Sequence, residues 1–446
     1  MTIVWSGKQT DRSRMINLLI SLALIYVIFV AAYRMLVLAG APLHSKNAKV
    51  NLFFGNTKEL SETPTTREYI LVAVEAFAFR IIVYFASAFA LALFAANGES
   101  LTISGFVDSW HQWDASNYIR IATGGYNFWL ENGEPTTLVF FPLYAWVIKI
   151  FYFFIRDYDI SALFVSTICY VGGIVYMYGF VSLDYGKSVA KKAVIYLSIF
   201  PFGFFFGAMM PESIFLFTAS AFFYYLKKHN WTMVALFGMA SSLSRMQGIL
   251  LIIPAGIEWL EVYKPVKNLM ERKIKDFFCS MLVLIPVLFT AAGTLIYLLI
   301  NYLVAGNCFK FLELQESVWG HHYEYIGKAV TTIFNYLLGD HYSANMKAAL
   351  WFPQAGIIIL TIGLLIYAAN KHKPQYILYL TAYTIISFSA SFILSGGRYM
   401  SVALPLFIIL AKLLDCHERG HRAFVAISLL LMALYTAGYV FGKQIM

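Results

Sequence analysis

Long runs of apolar residues follow one another along most of the chain, separated by short polar or charged stretches. The uncharged or nearly uncharged runs lie at 15–39, 70–96, 160–183, 277–304, 348–369, 376–394 and 423–441. Because about 20 apolar residues in an α-helix span the hydrocarbon core of a bilayer, each run predicts a transmembrane helix. The first run is too long for the core of a signal peptide, so we expect it to be retained.

The composition agrees with an all-α polytopic membrane protein and excludes several other classes. Of the 446 residues, 60% are hydrophobic and 13% are charged, which excludes a set of soluble domains. The net charge of +9 is spread over short clusters between the apolar runs, so we expect no nucleic-acid partner. The 4 cysteines lie in separate segments without a Cys-x-x-Cys spacing and indicate neither a disulfide framework nor a zinc site.

Basic clusters orient the predicted helices, because cytoplasmic loops carry an excess of lysine and arginine. The clusters that we predict to be cytoplasmic are 187–192, 227–228, 264–275, 371–373 and 419–422. The alternation of spans then places Glu212, Arg245 and Arg398 at turns on the same outer side as Asp114. Four charges are thus predicted to converge on one non-cytoplasmic face. The orientation of the first helix stays open, because nearby basic residues and the alternation of spans disagree.

The apolar run from Phe140 to Ile155 does not fit this alternation as a crossing. If it crossed the membrane, the lysines at 187–192 would emerge on the outer side. We therefore predict that this run lies in the outer interface or re-enters the membrane, and that 160–183 makes the next full crossing.

The segment around Asp114 is the most informative. Asp114 can begin a short helix that ends at Gly124-Gly125, and Tyr118 lies one turn further along the same face. In one interpretation Asp114 is only an N-cap that accepts backbone N–H bonds, and the neighbouring tryptophans are interfacial anchors. In the other, Asp114 is a reactive carboxylate at the outer membrane surface.

Four short motifs occur in a fixed order along the chain. They are Trp113-Asp114 with Tyr118 and Gly125-Tyr126, Phe140-Phe141-Pro142-Leu143-Tyr144, Pro211-Glu212-Ser213-Ile214-Phe215, and Ser244-Arg245-Met246-Gln247-Gly248. This ordered set resembles the second mannosyltransferase of GPI-anchor synthesis and its prokaryotic relatives, which are C-type (GT-C) membrane glycosyltransferases. The resemblance covers roughly residues 75–260, with a weaker match at Arg398-Tyr399.

The resemblance implies the GT-C glycosyltransferase fold, with about 11 to 13 transmembrane helices and outer juxtamembrane helices in the first large loop. Residues 1–69 would be an additional N-terminal transmembrane helix and loop. Residues 70–304 would form the catalytic module with its outer loop 97–159, and residues 305–446 an outer loop followed by the C-terminal transmembrane helices.

The resemblance also implies an activity. A sugar, typically mannose, would pass from a polyprenyl-phosphate or dolichyl-phosphate donor to a hydroxyl of a glycolipid or glycan on the non-cytoplasmic face of the bilayer. The catalytic aspartate of the family corresponds to Asp114. Gly124-Gly125 and Asn127 depart from the acidic residues that usually follow the Gly-Tyr pair, which leaves the acceptor open.

Residue types suggest how such a transfer would work. Asp114 is the candidate general base for the acceptor hydroxyl. Arg245 and Arg398 are candidates for the donor phosphate, because guanidinium groups match phosphate oxygens. A one-step displacement would invert the anomeric configuration, and no metal or other cofactor is expected, although a divalent cation stays open.

Further residues are candidates for less central roles, each with a structural alternative. His111 is a candidate for the phosphate or an ordinary interfacial histidine, and Arg398 could be a snorkelling residue at a helix end. Glu212 could contact substrate or act as a first-turn acid. The candidates for substrate contact are Trp113, Tyr118, Glu212, Gln247 and Tyr399.

Two other features are less specific. The aromatic residues of 200–226 are typical both of a groove for an isoprenoid tail and of lipid-facing helices. The His321-His322 pair could suggest a metal, but it has no third ligand at a suitable spacing.

A lipid-linked sugar transporter or flippase is the main alternative function, and a non-catalytic subunit of a membrane complex is another. A transporter would predict sequence repeats and charges near the bilayer midplane, whereas we find no repeat and the charges lie at one outer face. Short loops and the absence of an ER retrieval tail favour a prokaryotic cytoplasmic membrane over an ER membrane.

Overall fold

The computed structural model describes residues 11–42, 61–94, 101–131, 133–391 and 394–445. Throughout those ranges the regular structure is helical, and the extended pairing consists of two isolated bridges, Glu131 with Glu134 and Tyr323 with Ala390. The prediction of an all-α protein is confirmed. The N-terminal loop before residue 70 and the start of the outer loop at residue 97 lie partly outside the described residues, and the division of the chain into three regions stays a prediction.

The helices succeed one another in a single series. They are α1 (Asp11–Leu38), α2 (Thr66–Phe94), α3 (Ile103–Trp110), α4 (Ala115–Gly124), α5 (Pro142–Ile155), α6 (Tyr158–Tyr185), α7 (Lys187–Ser198), α8 (Glu212–Lys227), α9 (Trp231–Ser244), α10 (Ile252–Tyr263), α11 (Pro265–Met270), α12 (Ile274–Leu282), α13 (Leu284–Phe289), α14 (Ala292–Ala305), α15 (Lys310–Trp319), α16 (Ile326–Leu338), α17 (Ala344–Met346), α18 (Phe352–Ala368), α19 (Pro374–Phe388), α20 (Gly396–Met400), α21 (Leu404–Leu413) and α22 (Glu418–Val440). Short 3-10 turns cover Thr136–Val139, Gly203–Gly207 and Met246–Leu251.

Among the described residues, 6 helices are long and apolar enough to cross a bilayer. They are Asp11–Leu38, Thr66–Phe94, Tyr158–Tyr185, Met246–Tyr263, Ala344–Ala368 and Glu418–Val440, and the bent pair Ile274–Phe289 with Ala292–Ala305 raises the number to 7 if it counts as one span. The chain is therefore a multi-pass membrane protein. The number is below the predicted 11 to 13, because turns divide much of the remaining apolar sequence into shorter helices.

Helix α5 is the run that did not fit the alternation of spans. Its 14 residues extend about 21 Å at 1.5 Å per residue, which is less than the hydrocarbon thickness of about 30 Å. Arg156, with φ of 64°, reverses the chain, and the side chain of Asp157 caps α6 by accepting the amide of Ile160. This length fits a helix that does not cross the bilayer. The position of α5 relative to the bilayer stays a prediction.

Helices α6 and α8 pack closely at the centre of the molecule and position the site. A Cβ atom on Gly173 of α6 would lie 2.6 Å from Cγ of Leu216 in α8, so the close approach depends on glycine. The aromatic residues before and within α8 are mostly buried inside the protein: Phe200, Phe202, Phe204, Phe205, Phe206, Phe215, Phe222 and Phe223. These residues form part of the protein core. They therefore neither line an isoprenoid groove nor face lipid, and both predicted roles are corrected for them.

A buried arginine holds the loop that leads into α8. Arg80 of α2 donates hydrogen bonds to the carbonyl oxygens of Gly203 and Phe204 at 3.1 and 3.5 Å, and its guanidinium lies 4.5 Å from the centroid of the Tyr170 ring. Tyr84, one turn later, donates to the carbonyl of Gly207 at 2.8 Å. An arginine inside a membrane protein is costly unless it is paired with polar groups. These bonds therefore fix the loop from which α8 and Glu212 begin.

Candidate active site

Four charged side chains from distant parts of the sequence form one continuous chain of ion pairs. Arg398 donates from Nη1 to Oδ2 of Asp114 at 2.5 Å and from Nε to Oε1 of Glu212 at 2.6 Å. Arg245 donates from Nη1 to the same Oε1 of Glu212. The order is Asp114, Arg398, Glu212, Arg245, so negative and positive groups alternate. The four charges therefore converge, as the alternation of spans predicted, and the side of the membrane on which they lie stays a prediction.

Local backbone geometry places three of these residues at the ends of helices, whereas Arg398 lies within the short helix α20. Asp114 immediately precedes α4, but its side chain makes no capping hydrogen bond. Glu212 is the first residue of α8, directly after Pro211. Arg245 lies in extended backbone, with φ of −156° and ψ of 152°, where α9 ends and the turn Met246–Leu251 begins. The carboxylate of Asp114 is thus directed to Arg398, and the interpretation of Asp114 as a mere N-cap is corrected.

Two glycines allow the backbone to bring the arginines close. A Cβ atom on Gly248 would lie 2.2 Å from the carbonyl oxygen of Ser241, which explains the glycine three residues after Arg245. A Cβ atom on Gly397 would lie 2.3 Å from the Phe202 ring, and Gly397 directly precedes Arg398. Because backbone and ring atoms there have little room to move, larger side chains at either position would displace the adjacent arginine.

The ion-pair chain opens into a cavity of about 300 Å³. Six of the predicted site residues line it: Asp114, Tyr118, Arg245, Gln247, Arg398 and Tyr399. The carboxylate of Asp114 is partly accessible, with 30% of the side chain exposed, whereas the Arg398 side chain is 5% exposed. Arg398 is buried between two carboxylates, so the interpretation as a snorkelling residue is corrected.

Glu212 lies behind the cavity instead of lining it. Its side chain is fully buried, Oε1 accepts from both arginines, and Oε2 has no hydrogen-bond partner within the described part of the chain. Glu212 thus lies between Arg245 and Arg398, and its contact with a substrate stays a prediction.

His111 and Trp113 are the two predicted site residues that point elsewhere. Nδ1 of His111 lies 2.9 Å from Oδ1 of Asp159 and Nε2 lies 3.0 Å from Oγ of Ser116, so both ring nitrogens are engaged away from the arginines. The hydrogen bond with Asp159 raises the pKa of His111. Trp113 packs against Tyr439 with a ring-centroid distance of 5.0 Å. The structure brings neither residue into the cavity.

The sequence reasoning missed one wall of the cavity. It comes from residues 305–347, which are predicted to include an outer loop, and consists of Gln315, Trp319, His321, His322 and Tyr323. We name these five residues the outer wall. The histidine pair was considered only as a metal ligand, and the described residues contain no group of three or more His, Cys, Asp or Glu that could hold a metal. No local pattern would have placed this segment beside Asp114, because the contacts join distant parts of the chain.

Part of the chain matches a known protein family. Residues 135–308 match the family profile of dolichyl-phosphate-mannose-protein mannosyltransferase. That segment contains Glu212 and Arg245 but neither Asp114 nor Arg398. No curated protein matches the chain significantly. Among solved structures, the crystal structure of ArnT from Cupriavidus metallidurans bound to undecaprenyl phosphate is similar at 14% identity and a TM-score of 0.42, covering 85% of this chain and 77% of ArnT.

Proposed function

We propose that this protein is a membrane glycosyltransferase. It transfers a sugar, with mannose as the favoured candidate, from a polyprenyl-phosphate or dolichyl-phosphate donor to a hydroxyl of a glycolipid or glycan on the non-cytoplasmic face. The observation that carries the proposal is the partly accessible carboxylate of Asp114 beside Arg245 and Arg398 in one cavity. The match of residues 135–308 supports the donor class, and the motif resemblance supports the sugar.

The two arginines suit the phosphate of the donor. Arg245 and Arg398 both line the cavity, and guanidinium groups bind phosphate oxygens through several N–H donors at once. Glu212 neutralises part of their charge and fixes their spacing. When Asp114, Glu212 and both arginines are ionised, the four charges sum to zero. A phosphodiester monoanion that enters the cavity nevertheless lies close to two cations.

Asp114 suits the acceptor hydroxyl. The hydroxyl oxygen attacks the anomeric carbon while its proton moves to Asp114, and the bond from that carbon to the phosphate oxygen breaks with its electron pair remaining on the phosphate. The step forms one glycosidic bond, breaks one ester bond and inverts the anomeric carbon.

Arg398 couples the two halves of this step. It contacts Asp114 in the structure and also lines the cavity where the phosphate would bind. When Asp114 accepts the proton, it loses its negative charge. At the same time the departing phosphate gains a negative charge. Arg398 can therefore exchange a carboxylate partner for a phosphate partner without leaving a charge unpaired, which favours the products of the transfer.

The direct test is transfer by the purified full-length protein. The protein in lipid nanodiscs is incubated with tritium-labelled polyprenyl-phosphate-mannose and a panel of glycolipid acceptors, and the label is followed into the acceptor. We expect a glycolipid product and free polyprenyl phosphate in equal amounts. In proteoliposomes, a flippase would move the intact labelled donor across the bilayer with no bond broken, and that result would contradict the proposal. A prokaryotic cytoplasmic membrane is the favoured location.

A further inference from the structure

The cavity has two walls of different chemistry. Asp114, Arg245 and Arg398 are its charged lining residues apart from histidine within the described chain. The outer wall contributes no carboxylate, lysine or arginine; it presents an indole, a carboxamide, two imidazoles and a phenol. Ligands bound on the two sides would therefore differ in charge.

The outer wall is attached to the rest of the site at several points. The amide of Glu324 donates to the carbonyl of Ser389 at 2.7 Å, and the amide of Ser391 donates to the carbonyl of His322 at 2.9 Å. Tyr323 donates from its hydroxyl to Sδ of Met246 at 3.0 Å, next to Arg245. These bonds connect the outer wall to the two segments that lead to Arg245 and Arg398, so its side chains have defined positions in the cavity.

A glycine turn directs the chain back along α15. Gly320 has φ of +66°, and the amides of Gly320 and His321 donate to the carbonyls of Glu316 and Gln315 at 3.1 and 2.9 Å. A positive φ favours glycine, which has no Cβ to clash. The turn places His321 beside Gln315 and Trp319, so that all three line the cavity.

The side chains of the outer wall match the surface of a neutral sugar ring. Trp319 is 37% exposed and packs edge-to-face against Phe140, with ring centroids 6.1 Å apart, which fixes its orientation. The carboxamide of Gln315 and the imidazole of His321 can each donate and accept hydrogen bonds to hydroxyl groups. Burial lowers the pKa of His321, which favours the uncharged ring. An aromatic face with a few polar groups is the usual composition of a small-molecule site.

We infer that the outer wall is the acceptor subsite and that it binds an uncharged sugar ring, with Trp319 against the ring face and Gln315 and His321 on its hydroxyl groups. This inference rests on the proposed function, because it assigns the second substrate of the same reaction. It narrows the acceptor to a glycan or glycolipid whose reacting sugar has no phosphate or carboxylate. The outer wall has no lysine or arginine that could pair with an anionic sugar.

The test measures sugar binding by the full-length protein in nanodiscs. The probes are methyl glycosides of mannose, glucose, galactose and N-acetylglucosamine, with mannose 6-phosphate and methyl glucuronide as anionic comparators, and saturation-transfer difference NMR reports binding. We expect at least one neutral glycoside to bind more tightly than both anionic sugars. Trp319→Ala should weaken that binding at least tenfold, and Trp319→Phe, which keeps a ring, should restore most of it.

Trp129→Ala is the matched control, because Trp129 is an outer-loop tryptophan with 40% exposure that does not line the cavity. It should leave glycoside binding unchanged. These measurements are made with undecaprenyl phosphate at saturation, so that Arg245 and Arg398 are occupied. The inference is overturned if no neutral glycoside binds, if an anionic sugar binds more tightly under this condition, or if Trp319→Ala and Trp129→Ala give equal affinities.

A second measurement separates the inference from the proposed function. Binding of undecaprenyl phosphate should be unchanged in Trp319→Ala and weakened in Arg245→Ala. If Arg245→Ala leaves lipid-phosphate binding intact while Trp319→Ala still abolishes glycoside binding, the donor assignment fails and the sugar-binding wall stands.

Discussion

Helix α8 carries a charged cluster at each end, and the two clusters differ in access. Its first residue, Glu212, belongs to the cavity cluster with Arg245, Arg398 and Asp114. Its last residue, Lys227, lies 2.7 Å from Oε2 of Glu258 and 3.4 Å from Oδ2 of Asp184, and Lys373 lies 2.7 Å from Oδ1 of Asp184. We call this second group the inner cluster. The helix of 16 residues separates the two ends by about 24 Å.

The inner cluster is closed by neighbouring side chains. Tyr376 donates its hydroxyl to Oδ2 of Asp184, and Gln375 donates to Oε2 of Glu258 at 2.9 Å. The Asp184 side chain is 4% exposed, whereas the Asp114 side chain is 30% exposed. Both clusters have paired charges, yet only in the cavity cluster can a carboxylate meet a second molecule. Burial and pairing alone therefore do not identify a reactive site; access to one member does.

The largest expected effect is on the stability of the fold, and it distinguishes the inner cluster from the cavity cluster. Lys227→Met removes the buried cation that pairs with both Glu258 and Asp184, while Lys373 still pairs with Asp184. Breaking a buried ion pair costs about 3 to 5 kcal/mol. We expect the free energy of unfolding, measured by denaturant titration in micelles, to fall by that amount. The rate of sugar transfer per folded molecule should be unchanged. Lys228→Met, at the exposed neighbouring position, is the control. A large loss of transfer in folded Lys227→Met protein would mean that the inner cluster takes part in the reaction.

Glu212→Gln tests the other end of α8. The amide has the size of the carboxylate but no charge, so Arg245 and Arg398 lose the group that holds them side by side. Because misplacement by about 1 Å can slow catalysis by about 100-fold, we expect a fall of that order in the transfer rate constant. The affinity for undecaprenyl phosphate should change less, since both cations remain. Glu313→Gln, at an exposed outer-loop carboxylate, should have no effect; equal rates in the two variants would remove the positioning role.

Arg245→Ala should have a smaller effect on donor binding. A hydrogen bond to a charged group contributes about 1.5 to 3 kcal/mol, which corresponds to a loss of about 10-fold to 100-fold in affinity for undecaprenyl phosphate. Arg120→Ala provides the control, because Arg120 is an outer arginine paired with Glu131 away from the cavity. If Arg245→Ala leaves the affinity for undecaprenyl phosphate unchanged, Arg245 has only a structural role.

The smallest effect concerns His111, which the structure separates from the cavity. Asp159 raises the pKa of His111 in the folded protein, so this pair stabilises the fold below the ordinary histidine pKa of about 6.5. The stabilisation is lost as the pH rises through the raised pKa. Asp159→Asn should flatten the pH dependence of the unfolding temperature between about pH 5 and 8 without altering transfer. A parallel loss of transfer would place His111 in the reaction.

The sequence alone predicted which charges meet but not how deep each one lies. The positive-inside rule and the spacing of apolar runs were sufficient to place Asp114, Glu212, Arg245 and Arg398 at one face, because topology depends on the chain as a whole. The burial of Glu212 behind two arginines depends on packing, to which Gly248 and Gly397 contribute. The direction of His111 depends on Asp159, at the start of a helix 48 residues later.

Local sequence patterns also could not predict the outer wall or the helix breaks. His322 and Ser391 are 69 residues apart, and their pairing leaves no periodic signal in either segment. The inner cluster was predicted only as basic cytoplasmic residues, since the acids that pair with Lys227 lie in other helices. The length of the apolar runs therefore predicted the candidate spans except Met246–Tyr263, and it wrongly predicted a span at 376–394, where α19 has 15 residues. Long-range pairing determined the composition of the cavity.

The most direct test of the account compares Asp114→Asn with Asp108→Asn, a matched change at a carboxylate of the same outer loop that does not line the cavity. Both purified variants are assayed for transfer from labelled polyprenyl-phosphate-mannose to the acceptor that the wild-type protein uses. We expect Asp114→Asn to lower the transfer rate constant by about 100-fold to 10,000-fold while donor binding and folding are retained, and Asp108→Asn to transfer at the wild-type rate. Wild-type transfer by Asp114→Asn would contradict the account.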